Sequence, residues 1–199
     1  MIHVDPKPEP TDFDKNVRKK GLAWLKKKQL SLRKKIPSGT KLPTYWRDCL
    51  DDLYWLHDGI CSYLAVHFER VTGAGSVDHF VAKSQKAGLA YEWSNFRLAC
   101  SAMNRDKGVH TDVLDPFEVR DGWFHLNLVS GEVFANKKIR SPTKDEVNST
   151  IERLGLNDPG ICEMRARHYQ EYCQGRYDEV FLKSRSPFVW MEARRQGLL

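Results

Sequence analysis

The chain has 199 residues, 41% of them hydrophobic and 29% charged, which suffices for one good core and excludes two large domains. No apolar run approaches the roughly 20 residues that a bilayer span needs, and the opening MIHVDPKPEPTDFD is acidic and proline-bearing where a signal peptide would be basic and then apolar, so a cytoplasmic protein without a membrane partner is expected. The net charge is +6, yet residues 15–41 hold eleven Lys or Arg and no Asp or Glu, so the remainder is net acidic and the positive charge belongs to one segment.

In chain order, Pro6, Pro8 and Pro10 predict an extended arm. From Asp14, Leu22, Leu25, Gln29, Leu32 and Ile36 fall at helical steps, predicting one basic helix that stops near Pro37, Ser38 and Gly39. Lys19, Lys20, Lys26, Lys27, Lys34 and Lys35 are its candidate nucleic-acid contacts, because neutralised phosphates release counterions and give sequence-independent, salt-sensitive affinity. A solvated helix face is the plainer alternative. A second helix is predicted from Thr44, as N-cap, to Asp58-Gly59.

Residues 60–68 and 71–79, interrupted by Gly73-Ala74-Gly75, read as two strands or a strand and a loop meeting at Asp78-His79. Between Trp93 and Asn104, Phe96, Ala99, Cys100 and Met103 sit at helical steps. Two runs, residues 122–129 and 131–134, predict a hairpin turning at Ser130-Gly131. Helices are predicted from Thr143 to Leu154, Pro159 to Tyr172 and Pro187 to Arg195. The five cysteines, Cys49, Cys61, Cys100, Cys162 and Cys173, are odd in number and spread widely, which predicts reduced thiols.

The segment SVDHFVAKSQKAGLAYEWSNFRLACSAMNRDKG, residues 76–108, carries the chemistry. Phosphodiester hydrolysis needs a base for the attacking water, and a neutral imidazole, with an unperturbed pKa of about 6.5, suits His79 to that work. It also needs a hard cation at the phosphate, and such cations take oxygen ligands, which suits Asp78 and the side-chain oxygen of Asn104. Asp78 and His79 would leave opposite faces of a regular strand, so the pair requires a turn between them.

Asp78-His79, Asn95 sixteen residues after the histidine, Asn104 nine further on and then Lys107 resemble the HNH (His-Me finger) endonuclease family. The resemblance covers about a sixth of the chain. It implies an α+β fold with a ββα-metal finger in a mostly helical body carrying an additional β-hairpin. The regions are then an arm and basic helical part at 1–58, a catalytic core at 59–112 and a hairpin and helical extension at 113–199, in one compact body.

The resemblance also implies roles: His79, Asn95 and Asn104 catalytic, Asp78 and Asn104 on Mg²⁺ or Mn²⁺, Asn95 bonding backbone near His79, and Lys107 with Arg105 meeting substrate phosphate. Many relatives in that family hold a structural zinc on two Cys-x-x-Cys knuckles. Here each knuckle keeps one cysteine, Cys61 and Cys100, with Leu64 and Met103 in the second places, so no structural zinc is expected, and His67 is assigned a core or surface role.

The hairpin region and TIERLGLNDPGICEMRARHYQEY, with Asn157 and Arg165, are similar to the C-terminal extension of HNH proteins in bacterial anti-phage systems of the Septu and retron-associated kind. That similarity implies a DNA-cutting effector, with DNA favoured over RNA, beside an ATPase partner; the basic segment would contact nucleic acid, that partner, or both. The competing expectation is a non-catalytic nucleic-acid-binding or scaffolding subunit that keeps the finger as a relic.

Overall fold

The computed structural model describes residues 1–72 and 75–199, so Gly73 and Ala74 of the expected Gly73-Ala74-Gly75 interruption lie outside the described residues. The fold is α+β: among the described residues there are seven α-helices and two two-stranded antiparallel sheets. Contacts gather the chain into two compact units, one of residues 6–59 and 69–111, the other of residues 1–5, 60–68 and 112–199. No helix among the described residues is long and apolar enough to cross a membrane.

In the first unit a π-helical turn, Asp14–Arg18, continues into α1, Lys19–Lys27. Phe13, Val17, Gly21 and Leu25 form its buried stripe. At Gly21 the helix passes the Tyr91 ring so closely that no Cβ would fit. The basic helix is shorter than its periodicity predicts, because Gln29 turns left-handed at φ 54° and ends it before Leu32.

Beyond Gln29 the chain becomes a strap whose backbone bonds elsewhere. Ile36 N donates to Ser84 O at 3.0 Å, while Ala87 N and Gly88 N donate to Lys34 O and Leu32 O at 3.2 and 2.9 Å. Those bonds replace the ones a helix would have made, and Leu32, expected on an apolar stripe, is 46% exposed. Lys34 and Lys35 therefore belong to the strap and not to a helix.

Tyr45–Cys49 forms a 3-10 turn leading into α2, Leu50–Leu56. Thr44 makes no side-chain cap there, contrary to expectation. Strand β1, Gly75–His79, pairs antiparallel with β2, Phe96–Cys100, in the register Ser76↔Ala99, Asp78↔Arg97 and His79↔Phe96. Helix α3, Ser101–Lys107, follows at once and packs on both strands. The helical steps expected from Phe96 to Met103 thus divide between a strand and a helix. Phe96 through Ala99 are all buried, and a strand buried on both faces loses the alternation that would identify it.

In the second unit, β3, Phe124–Leu126, and β4, Val133–Ala135, form the expected hairpin, with a longer connection than a two-residue turn. The Asn127 side chain accepts from Val129 N and Ser130 N at 2.9 and 3.1 Å inside that loop. At Gly131, φ is 75° and a Cβ would collide with the Cys162 backbone. Four helices surround this hairpin: α4, Thr143–Arg153; α5, Pro159–Cys173; α6, Glu179–Arg185; and α7, Pro187–Arg195.

Thr143 is the first residue of α4 and does not cap it. Helix α6, not expected from the sequence, is capped by Asp178, whose carboxylate accepts from Phe181 N at 2.6 Å.

Candidate functional site

The site residues predicted from sequence all lie in the first unit. Strand alternation sends Ser76 and Asp78 to one face of β1, and α3 presents Asn104 and Lys107 to that face one turn apart. Asn104 Nδ2 donates to Ser76 Oγ at 3.1 Å, and Lys107 Nζ stands 3.3 Å from Asp78 Oδ1. Asp78 and Asn104 therefore share one seam between strand and helix. The half-buried Asn104 has no protein hydrogen bond on its side-chain oxygen among the described residues.

His79 leaves the other face. Its ring lies edge-on to Trp46 at 4.8 Å and to Phe96 at 5.1 Å between centroids, and its Nε2 is 2.9 Å from Ala90 O. A carbonyl can only accept, so Nε2 carries the hydrogen and Nδ1 keeps the lone pair. Burial pulls the imidazole down to about 4, helped by the positive charges of Lys83 and Lys107, while the Ala90 carbonyl pulls the other way. At neutral pH the ring is uncharged and its Nδ1 lone pair can accept a proton, though burial makes it a weaker base than free imidazole.

The turn expected between Asp78 and His79 instead begins at Phe80, since the pairing with β2 continues through His79↔Phe96. The two side chains therefore leave opposite faces of β1, with the Asp78–Asn104 seam on one and the imidazole on the other.

Asn95 fixes the backbone immediately beyond. Its Oδ1 accepts from Val81 N at 2.8 Å, and its Nδ2 donates to Val81 O and Leu89 O at 3.0 Å each. Its own carbonyl accepts from Phe80 N at 2.9 Å. The asparagine is buried, and it ties both ends of the loop running from His79 to Ala90.

Lys107 is placed differently from the expected phosphate contact. It is fully buried, it donates to His79 O at 3.0 Å, and it neutralises Asp78, so it supports β1 and is not on the surface to meet substrate. Lys107, at the end of α3, lies on the side of the helix that packs on β1 and β2, so its side chain runs inward. Arg105 is 75% exposed on the side chain, with its Nε 2.8 Å from Asp106 Oδ1.

Among the basic residues, Lys19 pairs with Asp14 at 2.8 Å and Lys20 with Asp48 at 3.5 Å. Lys26, Lys27, Lys34 and Lys35 are exposed.

Three contributors escaped sequence reasoning. Arg97, opposite Asp78 in the register, is buried, and with Lys107 it flanks the Phe80 ring at 5.3 and 5.6 Å. Trp46 packs on His79, and Lys83 sits 4.8 Å over the Trp46 ring. Only the strand register identifies Arg97, and only the tertiary fold brings Trp46 to the imidazole.

Asp78 and Asn104 offer hard oxygen donors of the type that Mg²⁺ or Mn²⁺ takes. Among the described residues no cluster of three His, Cys, Asp or Glu side chains could hold a metal. Cys61 and Cys100 are reduced and fall in different units, with Leu64 and Met103 both buried. His67 Nδ1 is 3.0 Å from Arg185 Nη1. Compared with known proteins, the chain matches no family model and no curated sequence.

Proposed function

We propose that the chain is a metal-dependent endonuclease of the HNH type, with β1, β2 and α3 as a ββα-metal finger that hydrolyses phosphodiester bonds of DNA. The observation that carries this reading is the tautomer of His79. A buried neutral imidazole, anchored through Nε2 to Ala90 O and with no protein partner on Nδ1 among the described residues, can accept a proton there as a general base.

Water attacks phosphorus, its proton passes to His79 Nδ1, and the bond from phosphorus to the leaving sugar oxygen breaks, that oxygen being protonated from solvent. A divalent cation held by the oxygens of Asp78 and Asn104 would neutralise charge gathering on the phosphate. Asn95 keeps the histidine loop in place, and Arg105 is the exposed cation on α3 for a neighbouring phosphate. A role as an anti-phage effector in the cytoplasm beside an ATPase partner rests on the sequence resemblance alone.

One observation favours a second reading, a nucleic-acid-binding or scaffolding subunit that does not cut. The Asp78 carboxylate already has an ammonium beside it, and a metal would share that oxygen with Lys107. One experiment separates the two: purified protein with plasmid and with single-stranded DNA, in Mg²⁺, Mn²⁺ or EDTA, beside His79→Ala. The nuclease reading expects metal-dependent nicking that the substitution lowers by about 10²–10⁴-fold. Equal cutting by both proteins, or none by either, overturns it.

A further inference from the structure

The strap that replaced the expected helix encloses a cleft the finger does not account for. Its volume is about 560 Å³, and its lining includes Pro37, Thr40, Lys41, Trp46, Lys83 and Ser84. One wall is the strap, and the other is the loop that leaves His79. The strap is anchored at both ends, by the bond between Ile36 N and Ser84 O and by the Tyr91 hydroxyl, which donates to Pro43 O at 2.9 Å. Gly39, at φ 79°, turns it over the opening. The cleft is thus preformed.

Three features select an occupant. Lys41 and Lys83 bring two ammonium groups to the lining, and no carboxylate belongs to it among the described residues, so an anion is favoured. Lys83 makes no ion pair with a described residue; burial, with the nearby Arg47, pulls its amine below the usual lysine range, while the Asp78 carboxylate pulls the other way. Pro37, Leu42 and Trp46 add apolar surface, and the hydroxyls of Thr40 and Ser84 add hydrogen-bonding groups. An anion joined to a flat, partly apolar body with polar edges is the description of a nucleotide.

The volume falls within the range of about 300–1,000 Å³ typical of small-ligand pockets, which is room for one nucleotide and not for a stacked pair of strands. Trp46 connects the cleft to the imidazole, since the same indole lines the one and touches the other.

We propose that this cleft holds one unstacked nucleotide of the substrate strand, next to the phosphate attacked by the water that His79 deprotonates, with its phosphate on Lys41 and Lys83. The proposal rests on the nuclease reading for the position of the attacked phosphate, and it adds that the substrate is single-stranded, or unpaired, at that point. A base inside a duplex would have to leave its stack to enter, as it does in enzymes that act on extruded nucleotides. Cationic side chains along the backbone are one part that single-strand binders use; here Pro37, Leu42 and the small exposed part of Trp46 supply the surface beside the base.

The test uses binding, so it does not depend on cutting. Wild-type protein in EDTA is titrated into a fluorescein-labelled single strand of about 10 nucleotides, within the site sizes of single-strand binders, and into the matching duplex. A set of strands, each with one abasic position, is measured alongside. Tighter binding of the single strand is expected, with a loss of about tenfold at one abasic position. Lys41→Gln with Lys83→Gln should weaken the intact strand about tenfold and erase that positional dependence.

Both lysines are on the surface of the cleft, so folding is not at stake. A flat abasic scan, preference for the duplex, or a double variant that binds like its parent overturns the cleft assignment, and metal-dependent nicking would then leave the nuclease reading standing. Position-dependent binding by a protein that never nicks DNA would instead uphold the cleft and remove hydrolysis.

Discussion

Asn95 and Asn157 make the same pair of bonds in different units. Asn95 Oδ1 accepts from Val81 N and its Nδ2 donates to Val81 O; Asn157 Oδ1 accepts from Val133 N at 2.7 Å and its Nδ2 donates to Val133 O at 2.9 Å. Both units also bury histidine and cation, His57 and His79 with Arg97 and Lys107 in the first, His168 and Arg165 in the second. What differs is the backbone being clamped. Val133 begins an edge strand of a hairpin, whereas Val81 lies in the loop that leaves the buried His79. The same device therefore serves architecture in one place and, on the proposed function, chemistry in the other.

The histidines give the sharpest way to break this comparison. Both rings are pulled to about 4, mainly by burial, but His168 Nδ1 is 2.7 Å from Ser186 Oγ, while His79 keeps Nδ1 without a protein partner among the described residues. His79→Ala is expected to lower nicking by about 10²–10⁴-fold. His168→Ala is expected to leave the specific rate of folded protein unchanged. Equal losses, measured on protein whose circular dichroism is intact, would erase the distinction.

The buried cations rank next. Lys107 is paired with Asp78, and removing one partner of a buried pair strands the other charge, so Lys107→Ala should cost about 3–5 kcal/mol in urea unfolding. Arg165 is bonded to carbonyls, with Nη1 at 2.6 Å from Leu156 O and 3.3 Å from Gly131 O, and its Nε and Nη2 have no hydrogen-bond partner. Burial drags its guanidinium down to about 10. Arg165→Met removes an uncompensated charge along with those bonds, so a smaller loss, of about 1 kcal/mol or less, is expected. A loss as large as that of Lys107→Ala would mean that Arg165 holds the hairpin loop more firmly than its two contacts indicate.

Asn95→Ala should cost about 1–3 kcal/mol, because the residue is buried and its loss leaves backbone groups unsatisfied; Asn157 is exposed, so water can replace its bonds to Val133 and Asn157→Ala should cost about 1 kcal/mol or less. Only Asn95→Ala should also slow nicking, by loosening the loop that ends at Ala90. If Asn157→Ala slows it equally, the two clamps are not functionally distinct.

The residues singled out by type and spacing, Asp78, His79, Asn95 and Asn104, fall in one hairpin and the helix after it, with Asp78 and His79 on opposite faces of β1. The helices α5 and α7 were legible from their proline starts. Three things were not. The strap could not be distinguished from a continued helix, since its bonds to Ser84, Ala87 and Gly88 are tertiary and leave no periodic trace. Strand β2 hid its alternation by being buried on both faces. Lys107 sits at the spacing of a substrate contact, yet the direction of a side chain depends on which face of α3 meets the sheet.

Histidine titration extends the comparison to pH. His57, His79 and His168 all lie near 4 in the folded protein, against about 6.5 when unfolded. The unfolded chain thus binds more protons between those values, so folding stability is full above about pH 6.5 and falls as the pH drops toward 4. Urea midpoints should decline over that window, and His168→Ala should flatten part of the decline without moving the acid limb of nicking. That limb belongs to His79 and is expected near pH 4 in kcat/KM. An acid limb near 6.5 would place the active imidazole in solvent.

The smallest effects concern the lysines of α1, where stability and binding should separate. Lys19 and Lys20 have carboxylates to neutralise them, Asp14 and Asp48, whereas Lys26 and Lys27 stand exposed in the last turn, where positive charge also complements the helix dipole. Replacing either pair with Gln should shift stability by no more than about 0.5 kcal/mol.

In DNA binding, loss of Lys26 and Lys27 should lower the slope of log affinity against log salt by up to about 0.7 per phosphate contact on single strands. The Lys19 and Lys20 pair should lower it by less, because each already has a counter-charge. If all four leave the slope unmoved, α1 makes no phosphate contact, and its exposed charge is a solvated face or one that meets protein.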